Sequence, residues 1–142
     1  MTVIPQQKPD LSGEWKLNRQ ASMLSPVVAP AVQSGVLRIE HREPCFNCHL
    51  TIVLDGKPIE TNVELLSDGR EVAGTDGGRR IVSSLCWDGD ALVATWRIQG
   101  PDGEVTISFR YELRDGGRRL RAAAELRGGG RDHDNLWVFE RS

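Results

Sequence analysis

Residues 45–49 read Cys45-Phe46-Asn47-Cys48-His49, the place in the chain where thiols and an imidazole crowd together. Three chemistries use that spacing. C-x-x-C-H is the pattern that attaches haem covalently, with His49 as axial ligand and His41 or Met23 as the second. A disulfide between Cys45 and Cys48 requires a chain reversal between them, because positions three apart on a continuous strand face opposite sides. A zinc site drawing on Cys45, Cys48, His49 and His41 needs the same reversal. A hairpin turn is expected at Phe46-Asn47, between two strand-like runs and not on a helix. Haem attachment also needs export to an oxidising compartment, and Met1 to Asp10 carries two prolines and no apolar leader core. The plain reading is therefore free thiols and polar residues at the rim of a sheet, with no cofactor. Haem or zinc is the alternative. Cys86, beside Trp87, reads as a buried free thiol.

A second group of chemistry-bearing residues lies on faces that are otherwise apolar. His41, Thr61, Ser83 and Tyr111 share the alternation of Leu37 and Ile39, of Val63 and Leu65, of Leu85, and of Phe109. Trp15, Leu85, Trp87 and Phe109 would line the same interior, and the small Ala122 and Ala124 would leave space in it. An apolar cavity with a few placed polar groups is the usual form of a small-molecule site. His41, as the residue type that most readily exchanges a proton near neutrality, is the candidate for polar recognition or acid/base work. Against this stands a filled interior in which the four polar groups satisfy one another. Asp132-His133-Asp134, after Gly128-Gly129-Gly130, reads as a solvated loop in preference to a metal site. No Gly-x-Ser-x-Gly, phosphate loop or His-Glu-x-x-His helix occurs, so no catalytic signature is present.

The elements that must position these residues are short strands. Val105, Ile107, Phe109, Tyr111 and Leu113 alternate with Glu104, Thr106, Ser108, Arg110 and Glu112, one face apolar and the other polar. The same period runs through residues 37–42, 59–65 and 119–126, and runs near 80–87, 91–98 and 135–140 are apolar on both faces in part. Asp55-Gly56, Asp68-Gly69, Asp76-Gly77, Asp88-Gly89, Asp102-Gly103 and Asp115-Gly116 stand between the runs. Asp-Gly supplies the positive φ of tight hairpin turns, so each pair predicts a hairpin and the set predicts a sequential meander. Closure of that meander into a barrel would remove both edges. Residues 18–35, with Pro26 and Pro30, lack alternation; they read as a long loop over one barrel mouth, with at most a helical turn near Arg19 to Leu24. Residues 1–10 read as an extended N-terminal segment. No domain boundary is visible, so 1–142 reads as one domain.

Composition bounds the partners. The chain has 142 residues, 27% charged and 39% hydrophobic, with 18 Lys plus Arg against 20 Asp plus Glu and a formal net charge of -2. That balance argues against nucleic acid as partner, since phosphate binding needs a basic excess. The Arg-rich stretch Arg110, Arg114, Arg118, Arg119, Arg121, Arg127 and Arg131 is offset by Glu112, Asp115, Glu125, Asp132 and Asp134. No run approaches the roughly 20 apolar residues of a membrane-spanning helix. The expected location is cytoplasmic as the chain stands, and periplasmic or secreted if a leader has been removed.

Gly13-Glu14-Trp15 opens the first strand, and Arg141 follows Leu136-Trp137-Val138-Phe139 at the end of the last. This pairing resembles the lipocalin-like (calycin) pattern, and the run Leu11 to Asn18 with its later Asp-Gly hairpins is similar to small bacterial lipocalin-like domains to which no role is assigned. The resemblance implies an all-β fold: a single closed antiparallel up-and-down barrel of about eight to ten strands. It also implies that Arg141 stacks across Trp15 and seals the closed end. The functional expectation is a soluble module binding a small apolar or amphipathic molecule through His41, Thr61, Ser83, Trp87, Phe109 and Tyr111. The alternative is a cofactor-independent isomerase, cyclase or dehydratase with His41 as acid/base and Tyr111 stabilising developing charge.

Overall fold

The computed structural model describes residues 8–101, 103–130 and 132–142. Ten antiparallel strands form one sheet. They are β1 (Gly13–Leu17), β2 (Val32–Arg42), β3 (Cys45–Leu54), β4 (Lys57–Leu66), β5 (Val72–Asp76), β6 (Arg79–Asp88), β7 (Ala91–Gly100), β8 (Gly103–Arg114), β9 (Arg119–Arg127) and β10 (His133–Arg141). The order across the sheet is β4-β3-β2-β1-β10-β9-β8-β7-β6-β5. The first and last strands are thus partners in mid-sheet, with Trp15 opposite both Arg141 and Leu37.

The hairpin chemistry acts locally as its residues dictate. Asp55 and Gly56 both have positive φ, 49° and 79°, between strands paired to their ends at Leu54 and Lys57. A two-residue loop with both central φ values positive carries the twist that matches two right-twisted strands. The other Asp-Gly pairs also fall at the junctions of consecutive strands, with Asp76 and Asp88 the last residues of β5 and β6 and Gly103 the first of β8; Asp102 lies outside the described residues.

Asp68-Gly69 is the exception in kind. It joins β4 to β5, yet those strands do not pair, so the ladder is interrupted there and the expected full closure is replaced by a strongly curled sheet with two free edges. The cause is the length of β5. Its five residues pair only with Arg79 to Ser83, which leaves the lower half of β6 without a strand on that side. The connection fills the space instead: the Ser67 N–H donates to the Pro44 carbonyl at 2.8 Å and the Gly69 N–H to the Leu85 carbonyl at 2.9 Å. Edge β4 carries Lys57, Pro58, Glu60 and Glu64, residues that discourage pairing with another chain.

Three further expectations change. The turn placed at Phe46-Asn47 lies at Glu43-Pro44, and β3 runs unbroken from Cys45. Proline has no N–H for the ladder, so Pro44 is where pairing stops. The loop is shorter than 18–35, because β2 begins at Val32, and it contains turns but no helix. It is fastened to the rim: β1 is four residues shorter than β10, and the loop takes over the exposed edge of β10. Asn18 N–H donates to the Val138 carbonyl at 2.7 Å, Met23 and Leu136 form a bridge, and Ser25 N–H donates to Asn135 Oδ1 at 2.7 Å. Cys86 is exposed, because it takes the outward position between the inward Leu85 and Trp87.

The core is packed at one end. Leu11, Trp15, Leu37, Ile39, Phe46, Leu85, Leu92, Leu120 and Phe139 are buried there, beneath the entering N-terminal segment. On the outer surface four arginines of the Arg-rich stretch are paired with carboxylates: Arg110 with Asp88 and Glu112, Arg114 with Glu112, Arg119 with Glu140, Arg127 with Asp134. No helix among the described residues is long and apolar enough to cross a membrane.

Candidate ligand-binding site

Above the packed end the interior opens into a cavity of about 330 Å³. Its walls come from β2, β3, β4, β7, β8, β9 and β10, and side-chain size explains the space. On β9, Ala122 stands opposite both Tyr111 and Trp137, and Ala124 stands opposite Phe109, which faces Ala94 on its other side. Each large ring therefore has a small neighbour, and the rings lean across without filling the volume. Leu50, Ile52, Thr61 and Val63 complete the wall on the β3–β4 side. Ile59 points inward yet is 48% exposed, which marks the β4 edge as the side where the interior meets solvent.

An aromatic series links the cavity to the packed end. Trp96 meets Phe109 edge-on at 5.9 Å between ring centres, Phe109 stacks on Tyr111 at 6.0 Å, and Tyr111 meets Phe46 at 5.8 Å. Phe46 then meets His41 at 5.7 Å, and His41 meets Trp87 at 5.8 Å. Tyr111 and Cys48 line the cavity as neutral acids. Burial pushes the Cys48 thiol up to about 12. Burial, with a smaller contribution from Cys48, pushes the Tyr111 phenol up as well.

The sequence-derived candidates divide into two places. Thr61, Phe109 and Tyr111 line the cavity; His41, Ser83 and Trp87 do not. Ser83 lies on β6 between Val72 and Trp96. His41 belongs to the closed end, with its side chain 2% exposed. Its Nδ1 accepts the Leu11 N–H at 3.2 Å, which leaves Nε2 to carry the ring hydrogen in the neutral form. Nε2 makes no hydrogen bond and faces Glu43 Oε2 at 3.5 Å. The Glu43 carboxylate also accepts from Trp87 Nε1 and Ser67 Oγ, so it joins the β2–β3 turn to β6 and to the β4–β5 connection.

Trp15 and Arg141 form the floor. The Arg141 guanidinium lies 4.2 Å from the centre of the Trp15 ring, donates from Nη1 to the Ser12 carbonyl at 2.8 Å and from Nε to the Gly117 carbonyl at 2.9 Å. Gly13 makes room for it: a Cβ there would stand 2.4 Å from Nη1.

The two thiols of the Cys45–His49 segment lie on opposite sides of the sheet. On the continuous β3, Cys48 is buried and faces the cavity while Cys45 is exposed, and His49 takes the outward side. All three cysteines are free, and no group of three or more His, Cys, Asp or Glu among the described residues converges as a metal site. Asp132 and Asp134 are engaged elsewhere, accepting from the Gly128 N–H and from Arg127.

Several lining residues carry no chemical mark of a site in the sequence: Leu50, Ile52, Val63, Trp96, Ile107 and Trp137, while Cys48 was marked for another chemistry. Strand parity was the signal available, since each occupies the inward position of its strand. Asn62 had no such signal.

Curl, strand order and the Trp15–Arg141 floor define the fold as that of the lipocalin-like (calycin) β-barrels. Solved structures agree. Secretory abundant heat soluble protein 4 from Ramazzottius varieornatus matches with a TM-score of 0.62 at 14% identity, over 96% of this chain and 99% of that one. Human cRBP IV matches at 0.61 and 19%, over 94% and 99%. Zebrafish ileal bile acid-binding protein, complexed with cholic acid, matches at 0.58 and 12%, over 92% and 98%. No family model and no curated protein matches the sequence.

Proposed function

We propose that this protein binds a small apolar or amphipathic molecule inside its curled sheet. The observation that carries the reading is the cavity of about 330 Å³, whose walls are apolar apart from isolated polar groups at Cys48, Thr61, Asn62, Tyr111 and two indoles. That size and lining match the range of small-molecule sites, roughly 300–1,000 Å³. The cholic acid held by the zebrafish structure makes the same reading natural for this fold. Acid/base catalysis by His41 has less support, because His41 does not line the cavity and Phe46 and Glu43 occupy its surroundings.

The test is native mass spectrometry of gently purified protein, followed by thermal-shift titration of the delipidated chain with a panel of apolar compounds. The expected result is a bound small molecule or a saturable stabilisation, and loss of both in Thr61→Phe. Thr61 is an exposed position on edge strand β4 that also lines the cavity, so the ring is expected to enter the cavity without disturbing the packed end. Absence of any bound molecule and of any thermal shift across the panel overturns the reading.

A further inference from the structure

A cavity that holds a small molecule also restricts the charge of its occupant. We propose that this cavity selects a neutral molecule, an apolar body whose polar group is a hydroxyl or a carbonyl, and rejects carboxylates of the same size. This selectivity rests on the cavity being a small-molecule site.

The geometry is the first support. Among the described residues, the cavity lining contains no Asp, Glu, Lys, Arg or His. Two arginines of the surrounding strands occupy the alternate, outward positions: Arg97 beside Trp96, Arg110 between Phe109 and Tyr111. They are already committed there, Arg97 to Glu71 at 2.9 Å and Arg110 to Asp88 at 2.6 Å. A carboxylate entering this space would leave water without gaining a cation, and an unpaired buried ion is strongly unfavourable. It would have to protonate or stay outside.

The second support comes from two acids already in place. Cys48 and Tyr111 both line the cavity, and burial holds both in their neutral forms. The apolar surroundings that raise their ionisation also disfavour an ionised carboxyl group on a guest beside them. A hydroxyl or carbonyl escapes this penalty. The available partners are the Tyr111 and Thr61 hydroxyls, the Asn62 amide and the indole N–H groups of Trp96 and Trp137, all uncharged. Cholic acid in the zebrafish structure is a carboxylic acid, so this is a difference of ligand class within one fold.

A matched series separates this inference from the reading beneath it. The full chain is titrated near neutral pH with 1-dodecanol, dodecanoate and dodecylammonium, each below its micelle concentration. Tryptophan emission, to which the cavity indoles Trp96 and Trp137 contribute with Trp15 and Trp87, reports binding, and native mass spectrometry gives stoichiometry. The expected order is 1-dodecanol tighter than either ion by at least about tenfold, since even a fraction of an ion's desolvation cost reaches that ratio. Thr61→Arg, which brings a cation to the cavity wall from an exposed edge position, is expected to strengthen dodecanoate by about tenfold or more and to remove the alcohol's advantage. Dodecanoate binding as tightly as 1-dodecanol to the unaltered chain overturns the inference and leaves the cavity reading intact. An unchanged order in a folded Thr61→Arg also overturns it, because the uncharged wall would then not be what selects. Failure of all three compounds to bind sinks the cavity reading and this inference together.

Discussion

The Arg141 guanidinium lies 4.2 Å from the centre of the Trp15 ring, although 126 positions of sequence separate the two residues. The contact exists because the first and last strands are hydrogen-bonded neighbours with these residues in register. Arg141 also ties down two carbonyls, those of Ser12 and Gly117, at the closed end. Arg141→Ala is expected to cost about 1–3 kcal/mol, combining a cation–π contact with two charge-assisted hydrogen bonds. Arg141→Lys keeps the charge but loses the planar fork, and should recover only part of the loss. Urea unfolding followed by tryptophan fluorescence measures both.

Gly13 depends on the same arginine. Its φ is 141°, and a methyl group would meet Arg141 Nη1 at 2.4 Å. Gly13→Ala therefore suffers backbone strain and displacement of the guanidinium, each on the order of 1–3 kcal/mol. In an Arg141→Ala background only the strain remains. A double-mutant cycle should accordingly show a sub-additive result, with a coupling of about 1 kcal/mol or more. Strict additivity would mean that the Gly-x-Trp glycine serves the backbone alone.

Glu43 holds the interruption in the sheet together. Its carboxylate accepts from Ser67 Oγ and Trp87 Nε1, across the side where β4 and β5 fail to pair. In Glu43→Ala the β4–β5 connection loses its side-chain tether at Ser67. Amide hydrogen exchange is expected to accelerate at Ser67 and Gly69, whose N–H groups bond the Pro44 and Leu85 carbonyls, while the Trp15 register on β1 stays protected. Uniform acceleration across the sheet would indicate global destabilisation in place of local opening.

The strand pattern was legible because a half-buried sheet writes itself as period-two alternation, and the run Val105 to Leu113 does so without a break. Asp-Gly marked where strands end, but a turn signal cannot say whether the strands it joins also pair. That depends on strand length and register at a distance, which is why Asp68-Gly69 looks like its fellows and behaves differently. The reversal falls at Pro44 and not at Phe46-Asn47, and the convergence of Cys45 and Cys48 goes with that shift. The inward set was readable by parity, so Thr61, Phe109 and Tyr111 reached the cavity wall. Parity gives the face and not the height along the barrel. His41 and Trp87 share that face but sit at the packed end, because the register across β2, β3 and β6 sets them there.

Cys48 offers a measurement of the cavity itself. Cys48 is 3% exposed and its thiol is pushed up to about 12 by burial, whereas Cys45 and Cys86 are exposed. Since the thiolate is the nucleophile, alkylation of the native protein by iodoacetamide should label Cys45 and Cys86 and spare Cys48 until denaturant is added. Mass spectrometry of the peptides decides this. The same shift fixes a dependence on pH. The folded state holds the Cys48 proton above the ordinary thiol value of 9.0 and the Tyr111 proton above 10.0, while the unfolded chain releases them. The folded state then binds more protons than the unfolded one, so stability is full below about pH 9 and falls as pH rises, by up to about 1.4 kcal/mol per pH unit for each group. Cys48→Ala removes one of these two groups. Its stability relative to the unaltered chain should therefore improve between pH 9 and pH 11, on top of a constant cost for the lost packing. Parallel curves for the two proteins over that window would show that Cys48 ionises in the folded state as readily as in the open chain, and the cavity would then be far more polar than its lining implies.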